Sequence, residues 1–346
     1  MTNPSTSAYG RCMTEPPPII VIGASEGGVE ALSILVANLP SDLDAAVFLV
    51  LHIGAHQSRL PSLLTERGPL PARHPDDGDP IRPGHIYVAP PDHHLVLEPG
   101  RIRLTRGPRE NWARPAVDPL FRSAAAVYGE GVIGVILTGG LNDGTAGLHA
   151  VAQHGGTTVV QDPDSAVNSG MPRSALRHVA VDHCVPLSEI AALLTLLVAK
   201  SRTTVEADRI TALPARREDM TADYKLDRPV AVTCPDCGGA LRRSETGTLK
   251  QYECHIGHVY TADVMVAAQF SALEWSLTAA LRALSERGEL CRQMARDARE
   301  GKDEPAALRW DAAEAEAKER AIVMRRLIEE DWLHVGESES RNRSSG

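Results

Sequence analysis

Between residues 18 and 194, blocks of consecutive apolar residues alternate with stretches whose apolar positions recur every three or four. The first block, Ile19-Ile20-Val21-Ile22, is β-branched throughout and predicts a strand buried on both faces; Val29 to Leu35 then repeats at helical spacing. Ala45 to Leu51, Val132 to Leu137 and Thr157 to Gln161 read as further buried strands, the second of the four ending at His52. The shorter runs 85–89, 94–97 and 101–104 predict a local β element. Helices are predicted from Asp118 to Tyr128, from Thr145 to His154 and from Gly170 to Arg177, with Asp118 as N-cap and Pro119 in the first helical position. This alternation predicts an α/β fold, a doubly wound, mainly parallel sheet with helices on both faces.

The pattern changes after residue 195. Lys200-Ser201-Arg202 and Arg216-Arg217-Glu218-Asp219 are polar and aperiodic, which reads as a linker. A cysteine cluster follows, then two long helices, 262–299 and 305–333, broken at Glu300-Gly301-Lys302-Asp303-Glu304. Phe270, Leu273, Leu277, Leu281 and Leu284 trace a narrow apolar seam, predicting an antiparallel hairpin. The expected organisation is a disordered start at 1–16, a sheet domain at 17–195, a linker at 196–229, a small metal module at 230–261, a helical hairpin at 262–335 and a disordered end at 336–346.

Composition narrows this further. Aromatics make up only 4% of the 346 residues, so Val, Ile, Leu and Ala must fill the core. A net charge of −9 argues against broad nucleic-acid binding. No segment approaches the ~20 apolar residues of a membrane span, and the first sixteen residues lack the apolar centre of a signal peptide. The expectation is a cytoplasmic protein without membrane insertion. Six cysteines in this length form no disulfide framework, and Cys12, Cys184 and Cys291 are scattered ordinary thiols. Cys234-Pro235-Asp236-Cys237, sixteen residues, then Cys254-His255-Ile256-Gly257-His258 has the spacing of a zinc ribbon. Cys234, Cys237, Cys254 and His258 are the expected ligands of a structural zinc, with His255 as the alternative fourth.

Three polar residues stand at the carboxyl ends of buried strands: Ser25 in Gly23-Ala24-Ser25-Glu26-Gly27-Gly28, His52, and Asp143 in Leu141-Asn142-Asp143-Gly144. In a parallel sheet those ends share one edge, so a nucleophile, a base and an orienting carboxylate can converge there. Singly, each has a plainer reading: Ser25 as a helix cap, His52 bonded to backbone, Asp143 making a turn. A dinucleotide site fits less well, because the spacing is G-x-x-x-G-G and the second strand ends in histidine rather than an acidic residue.

The 22–28 loop, Leu51-His52, Tyr87-Val88-Ala89-Pro90, Arg114-Pro115-Ala116-Val117-Asp118-Pro119-Leu120-Phe121-Arg122, Thr138-Gly139-Gly140-Leu141-Asn142-Asp143-Gly144 and Gly170-Met171-Pro172-Arg173 together resemble the catalytic domain of the chemotaxis protein-glutamate methylesterases, the CheB family. The resemblance covers about residues 18–194 and implies a Ser25–His52–Asp143 triad that hydrolyses γ-glutamyl methyl esters on chemoreceptor-type proteins, with receptor glutamine deamidation as a related activity. It implies an oxyanion site from the backbone N–H groups of Glu26 and Gly140, and a substrate groove lined by the Arg114–Arg122 segment and Met171. The matching methyltransferase is a partner it suggests. The tail resembles the ribbon-plus-helices extension of some receiver-less methylesterase proteins.

Three departures stand out. Glu26 follows the nucleophile where the family carries a small or hydroxyl residue, and Gly139-Gly140-Leu141 replaces Gly-Met-Gly. The sixteen leading residues are too few for a phosphorylatable receiver domain, so control by aspartyl phosphorylation in cis is not expected. The first two departures give the competing reading, a non-catalytic signalling adaptor with the same fold, its support.

Overall fold

The computed structural model describes residues 17–52, 58–205 and 232–330. The expected disordered ends and most of the linker lie outside the described residues. In chain order the elements are β1 (Ile19–Ala24), α1 (Gly28–Ala37), β2 (Ala46–Leu51), α2 (Leu60–Arg67), β3 (Ala72–Arg73), β4 (Ile86–Val88), β5 (His94–Glu98), β6 (Arg101–Thr105), α3 (Val117–Tyr128), β7 (Val132–Ile136), α4 (Thr145–Gln153), β8 (Thr157–Gln161), α5 (Gly170–His178), β9 (His183–Val185), α6 (Leu187–Val205), β10 (Leu241–Thr246), β11 (Leu249–Cys254), β12 (Val259–Thr261), α7 (Ala262–Glu300) and α8 (Glu304–Glu329).

Seven strands form one sheet in the order β3-β4-β2-β1-β7-β8-β9, every pair parallel. β1 is central, and its alternate residues feed two cores. Ile20 and Ile22 pack with Leu32 and Leu35 of α1, Leu64 of α2 and Ile190 and Leu194 of α6. Ile19 and Val21 pack on the other face with Val117 and Phe121 of α3, Leu148 of α4 and Met171 of α5. Both faces are therefore covered, as the unbroken β-branched runs predicted.

Two expectations shift. The 85–89 run is not part of a local element: Ile86, Tyr87 and Val88 are buried, and β4 pairs with β2 in the main sheet, leaving β5 and β6 as a separate antiparallel hairpin. The expected linker also starts too early, because α6 runs on to Val205; Ile190, Leu194 and Val198, four apart, keep one face of it buried.

The described chain divides into two compact units, the sheet domain with the strands that end at Thr261, and the C-terminal helices with residues 233–238. In the first, β10, β11 and β12 make an antiparallel three-stranded ribbon. In the second, α7 and α8 form the predicted antiparallel hairpin, with Arg299 paired to Asp311 near the turn and Gly288 facing Ala317 further along. Its tightest seam is made of small residues, Gly288, Cys291 and Ala295 against Ala307 and Ala317. Of the expected seam, Phe270, Leu277, Leu281 and Leu284 are half-buried, and Leu273 is exposed because α7 is 39 residues long and α8 only 26, so α8 ends before reaching it. The same α7 carries an 18-residue stretch of mean hydropathy 1.3, long and apolar enough to cross a membrane by length and composition, contrary to the sequence expectation.

Candidate active site

β1 ends at Ala24 and α1 starts at Gly28, so Ser25, Glu26 and Gly27 form the elbow between them. The Ser25 N–H donates to the Thr138 carbonyl at 3.0 Å, and the Ser25 carbonyl accepts from the Gly28 N–H at 2.9 Å. Gly27 turns the chain at φ 74°, a conformation glycine adopts without penalty. It also occupies the N-cap of α1, and no side chain caps that helix. The Ser25 hydroxyl is thus not a helix cap, and it makes no hydrogen bond among the described residues.

His52 follows β2 as Ser25 follows β1. Ala24 and Leu51 are register partners, and the His52 N–H donates to the Ala24 carbonyl at 3.2 Å, so the two residues leave the sheet side by side. The His52 ring is partly exposed, and its Nε2 lies 2.7 Å from Oδ2 of the buried Asp143. An ionised carboxylate can only accept, so Nε2 carries the proton and Nδ1 is the nitrogen with a free lone pair.

Asp143 is held by more than His52. Val117 and Asp118, the first two residues of α3, donate their backbone N–H groups to its Oδ2 and Oδ1 at 2.6 and 3.4 Å, and Gly144 N–H donates at 3.0 Å. The catalytic-site carboxylate is thereby the cap of α3, whose own N-cap residue is Ala116. Asn111 Nδ2 adds a further bond to Oδ1 at 2.8 Å. Burial opposes ionisation of Asp143, but the His52 bond and charge, with the Val117 and Asn111 donors, outweigh it and hold the carboxyl below its ordinary range.

Asp118 corrects the sequence reading. It lies inside the first turn of α3, fully buried, with Oδ1 accepting from the Gly147 N–H at 2.7 Å and Oδ2 from Asn111 Nδ2 at 2.9 Å. It is not the cap because Asp143 already meets the end of the helix. Burial, and then repulsion from Asp143, push its carboxyl well above the ordinary value, the opposite direction from Asp143.

The N–H groups of Glu26 and Gly140 donate to nothing else among the described residues, so both are open to an oxyanion. The Glu26 carboxylate accepts from Asn168 Nδ2 at 2.8 Å on the exposed side of the elbow. Leu141 takes the left-handed conformation, φ 59°, and so preserves the turn that a glycine would make there. Gly139 is obligatory: a Cβ there would lie 2.1 Å from Met171 Sδ and 2.9 Å from Ser25 Cβ. Met171 is completely buried, so it supports this loop from below and offers no surface to a substrate, which corrects the expectation of a groove contact. Arg114 donates to Asp92 at 2.6 and 2.9 Å and to the Gly107 carbonyl at 2.8 Å, which ties down the loop ahead of α3.

Cys234, Cys237, Cys254 and His258 offer ligand atoms that all lie within 4.8 Å of one another. Three thiols and an imidazole suit a closed four-coordinate metal site. His258 is the fourth member, and the alternative, His255, is not in the group.

Sequence reasoning missed Asn111 and the buried role of Asp118. Asn111 lies in Glu110-Asn111-Trp112-Ala113, a stretch with no apolar periodicity; the only available signal was an asparagine in a turn.

The family model described as CheB methylesterase matches residues 20–194. A protein of Leptospira interrogans, provisionally named a protein-glutamate methylesterase/protein-glutamine glutaminase, is 38% identical over 180 residues, which are 51% of this chain and 93% of its own. A protein-glutamate methylesterase/protein-glutamine glutaminase of Anaeromyxobacter dehalogenans is 40% identical over 173 residues, 50% of this chain and 51% of its own. The chain thus spans nearly all of the first relative and about half of the second. The crystal structure of the Thermotoga maritima CheB methylesterase catalytic domain superposes with a TM-score of 0.51 at 33% identity, covering 53% of this chain and 100% of that one.

Proposed function

The chain belongs to the CheB methylesterase family, a family of protein-glutamate methylesterases, and we propose that it performs that hydrolysis with Ser25, His52 and Asp143. The observation that carries the proposal is the His52–Asp143 bond of 2.7 Å, which leaves Nδ1 free to accept a proton on a ring that follows the strand next to the one Ser25 follows.

His52 Nδ1 takes the Ser25 proton as Oγ attacks the ester carbonyl of a methylated glutamate side chain. Asp143 keeps the ring in the required tautomer and stabilises the imidazolium that forms. The Glu26 and Gly140 N–H groups receive the developing oxyanion. Collapse of the tetrahedral adduct breaks the bond to methoxide, which leaves as methanol with the proton from His52. Water, activated by the same ring, then releases glutamate from the acyl-enzyme. A glutamine side chain follows the same path with ammonia as the leaving group, the basis for a second, deamidase activity. Arg114 contributes to substrate binding by shaping the wall of the groove through its ties to Asp92 and Gly107.

The substrates are methylated chemoreceptor-type proteins in the cytoplasm, and the methyltransferase that installs the esters is the natural counterpart. The net charge of −9 supports a protein partner over a nucleic acid, and the pairing of α7 with α8 supports a hairpin that does not insert into membrane. The Cys3His group is proposed to hold zinc, with Cys234, Cys237, Cys254 and His258 as its ligands and a structural role.

Methanol release from a methylated receptor fragment tests the reading. The full chain is expected to release methanol, and Ser25→Ala to fall to the background of hydrolysis without enzyme. Equal rates for the two proteins would favour the adaptor.

A further inference from the structure

The last strand of the ribbon reaches the catalytic carboxylate through Asn111. In the turn at 110–113, Glu110 and Ala113 bond to each other at 3.3 and 2.9 Å, and the two residues between them are both left-handed, Asn111 at φ 49° and Trp112 at φ 63°. Asparagine tolerates that conformation; tryptophan does so only at a cost, so something must hold the turn closed. At its base, Arg122 bonds both carboxylate oxygens of Glu110 at 2.6 and 2.8 Å. On its other side lies β12. The Asn111 N–H donates to the Val259 carbonyl at 2.7 Å, the Val259 N–H to the Arg109 carbonyl at 3.3 Å, and the Thr261 N–H to Asn111 Oδ1 at 3.1 Å.

That last bond has a chemical consequence. Because Asn111 Oδ1 accepts from Thr261, its Nδ2 must be the atom that faces the carboxylates, and it donates to Asp143 and Asp118 at once. The Thr261 hydroxyl meanwhile bonds Oδ1 of Asn142, the residue next to Asp143. Asn111 and Thr261 are both buried, so neither finds water as a substitute partner.

We propose that the ribbon strand β12 is a positioning element of the active site: it clamps the 110–113 turn so that Asn111 orients Asp143 toward His52. The inference rests on the hydrolytic reading of Ser25, His52 and Asp143, and it assigns a role in the reaction to a module outside the matched residues 20–194. Asn111 and Thr261 are positioning residues; neither touches the reacting atoms.

Two full-length variants test it. Asn111→Gly removes the amide while keeping the left-handed turn accessible, and Thr261→Val removes only the hydroxyl. Each is expected to lower kcat, by roughly tenfold for Asn111→Gly, the scale of one hydrogen bond to a charged group, with KM unchanged. In Asn111→Gly the acid limb of the activity profile should move to higher pH, because Asp143 with one donor fewer is more basic and so holds the proton of its partner more tightly; Thr261→Val keeps the backbone N–H that orients Asn111 and removes only the bond to Asn142. Thr261→Ser, which retains the hydroxyl, should restore kcat. NMR titration of the His52 ring in the same proteins reports the shift without any substrate, so a failure of the methylesterase reading would leave this test standing. Wild-type kcat and an unmoved His52 titration in Asn111→Gly would overturn the proposal, whatever happened to its melting temperature.

Discussion

Asp143 and Asp118 flank the same Asn111 amide, both buried, yet their carboxyls shift in opposite directions. The difference is the number and kind of donors. Asp143 receives His52, two helix N-terminal amides and Asn111, whereas Asp118 receives Gly147 and Asn111 alone and faces the charge of its neighbour. The two contribute to stability with opposite signs. The lowered carboxyl of Asp143 stabilises the fold above the ordinary carboxyl value, and that contribution is lost as pH falls through its folded value. The raised carboxyl of Asp118 keeps a proton that the unfolded chain has already lost, so stability declines as pH rises from the ordinary value toward the folded one. Asp118→Asn cannot titrate and is expected to remove that decline. Urea unfolding followed between about pH 5 and 7 should give a slope less negative by up to about 1.4 kcal/mol per pH unit. An unchanged slope would mean that Asp118 is ionised in the folded protein. The sequence offered no access to this, because Asp118-Pro119 reads as an ordinary helix start until the fold brings Asp143 to the same helix end.

Among the elements, the loop after β7 shows how closely backbone must approach backbone at this site. Gly139 lies between Met171 and Ser25 with no room for a methyl group. Gly139→Ala is expected to displace the elbow and abolish methanol release, while circular dichroism still reports the α/β fold; full activity would mean that the loop can retreat without moving Ser25. The helical hairpin has its own version of the same constraint. Ala317 is buried against Gly288, so Ala317→Leu should overpack the seam and cost about 1–3 kcal/mol in unfolding experiments. The apolar period of α7 made both the helix and the hairpin predictable. It did not show that the closest contacts fall at Gly288, Cys291 and Ala295, because a small residue signals close packing only once its partner is known.

For the whole molecule, the family match ends at residue 194, while the ribbon and hairpin continue beyond it. If the ribbon holds zinc, metal analysis of the purified chain should give one equivalent, and Cys234→Ser should lose it; retention of the metal would remove that cysteine from the ligand set. Chelation should also loosen β12, since the Cys254 N–H donates to the His258 carbonyl at 3.0 Å in the turn that leads into it.

Strand ends, the glycine elbow and cysteine spacing are local properties, set by side-chain branching, backbone freedom and ligand chemistry within a few residues. They were sufficient to single out Ser25, His52 and Asp143 as the proposed triad and the Cys3His group that the fold brings together. The surroundings of Asp143 are not local: Asn111 takes its orientation from Thr261, 150 residues further along the chain, and the carboxyl of Asp118 is raised by burial beside a second carboxylate. Only folding brings those groups together, because hydrogen-bond direction and desolvation depend on distances in space that no spacing along the chain encodes.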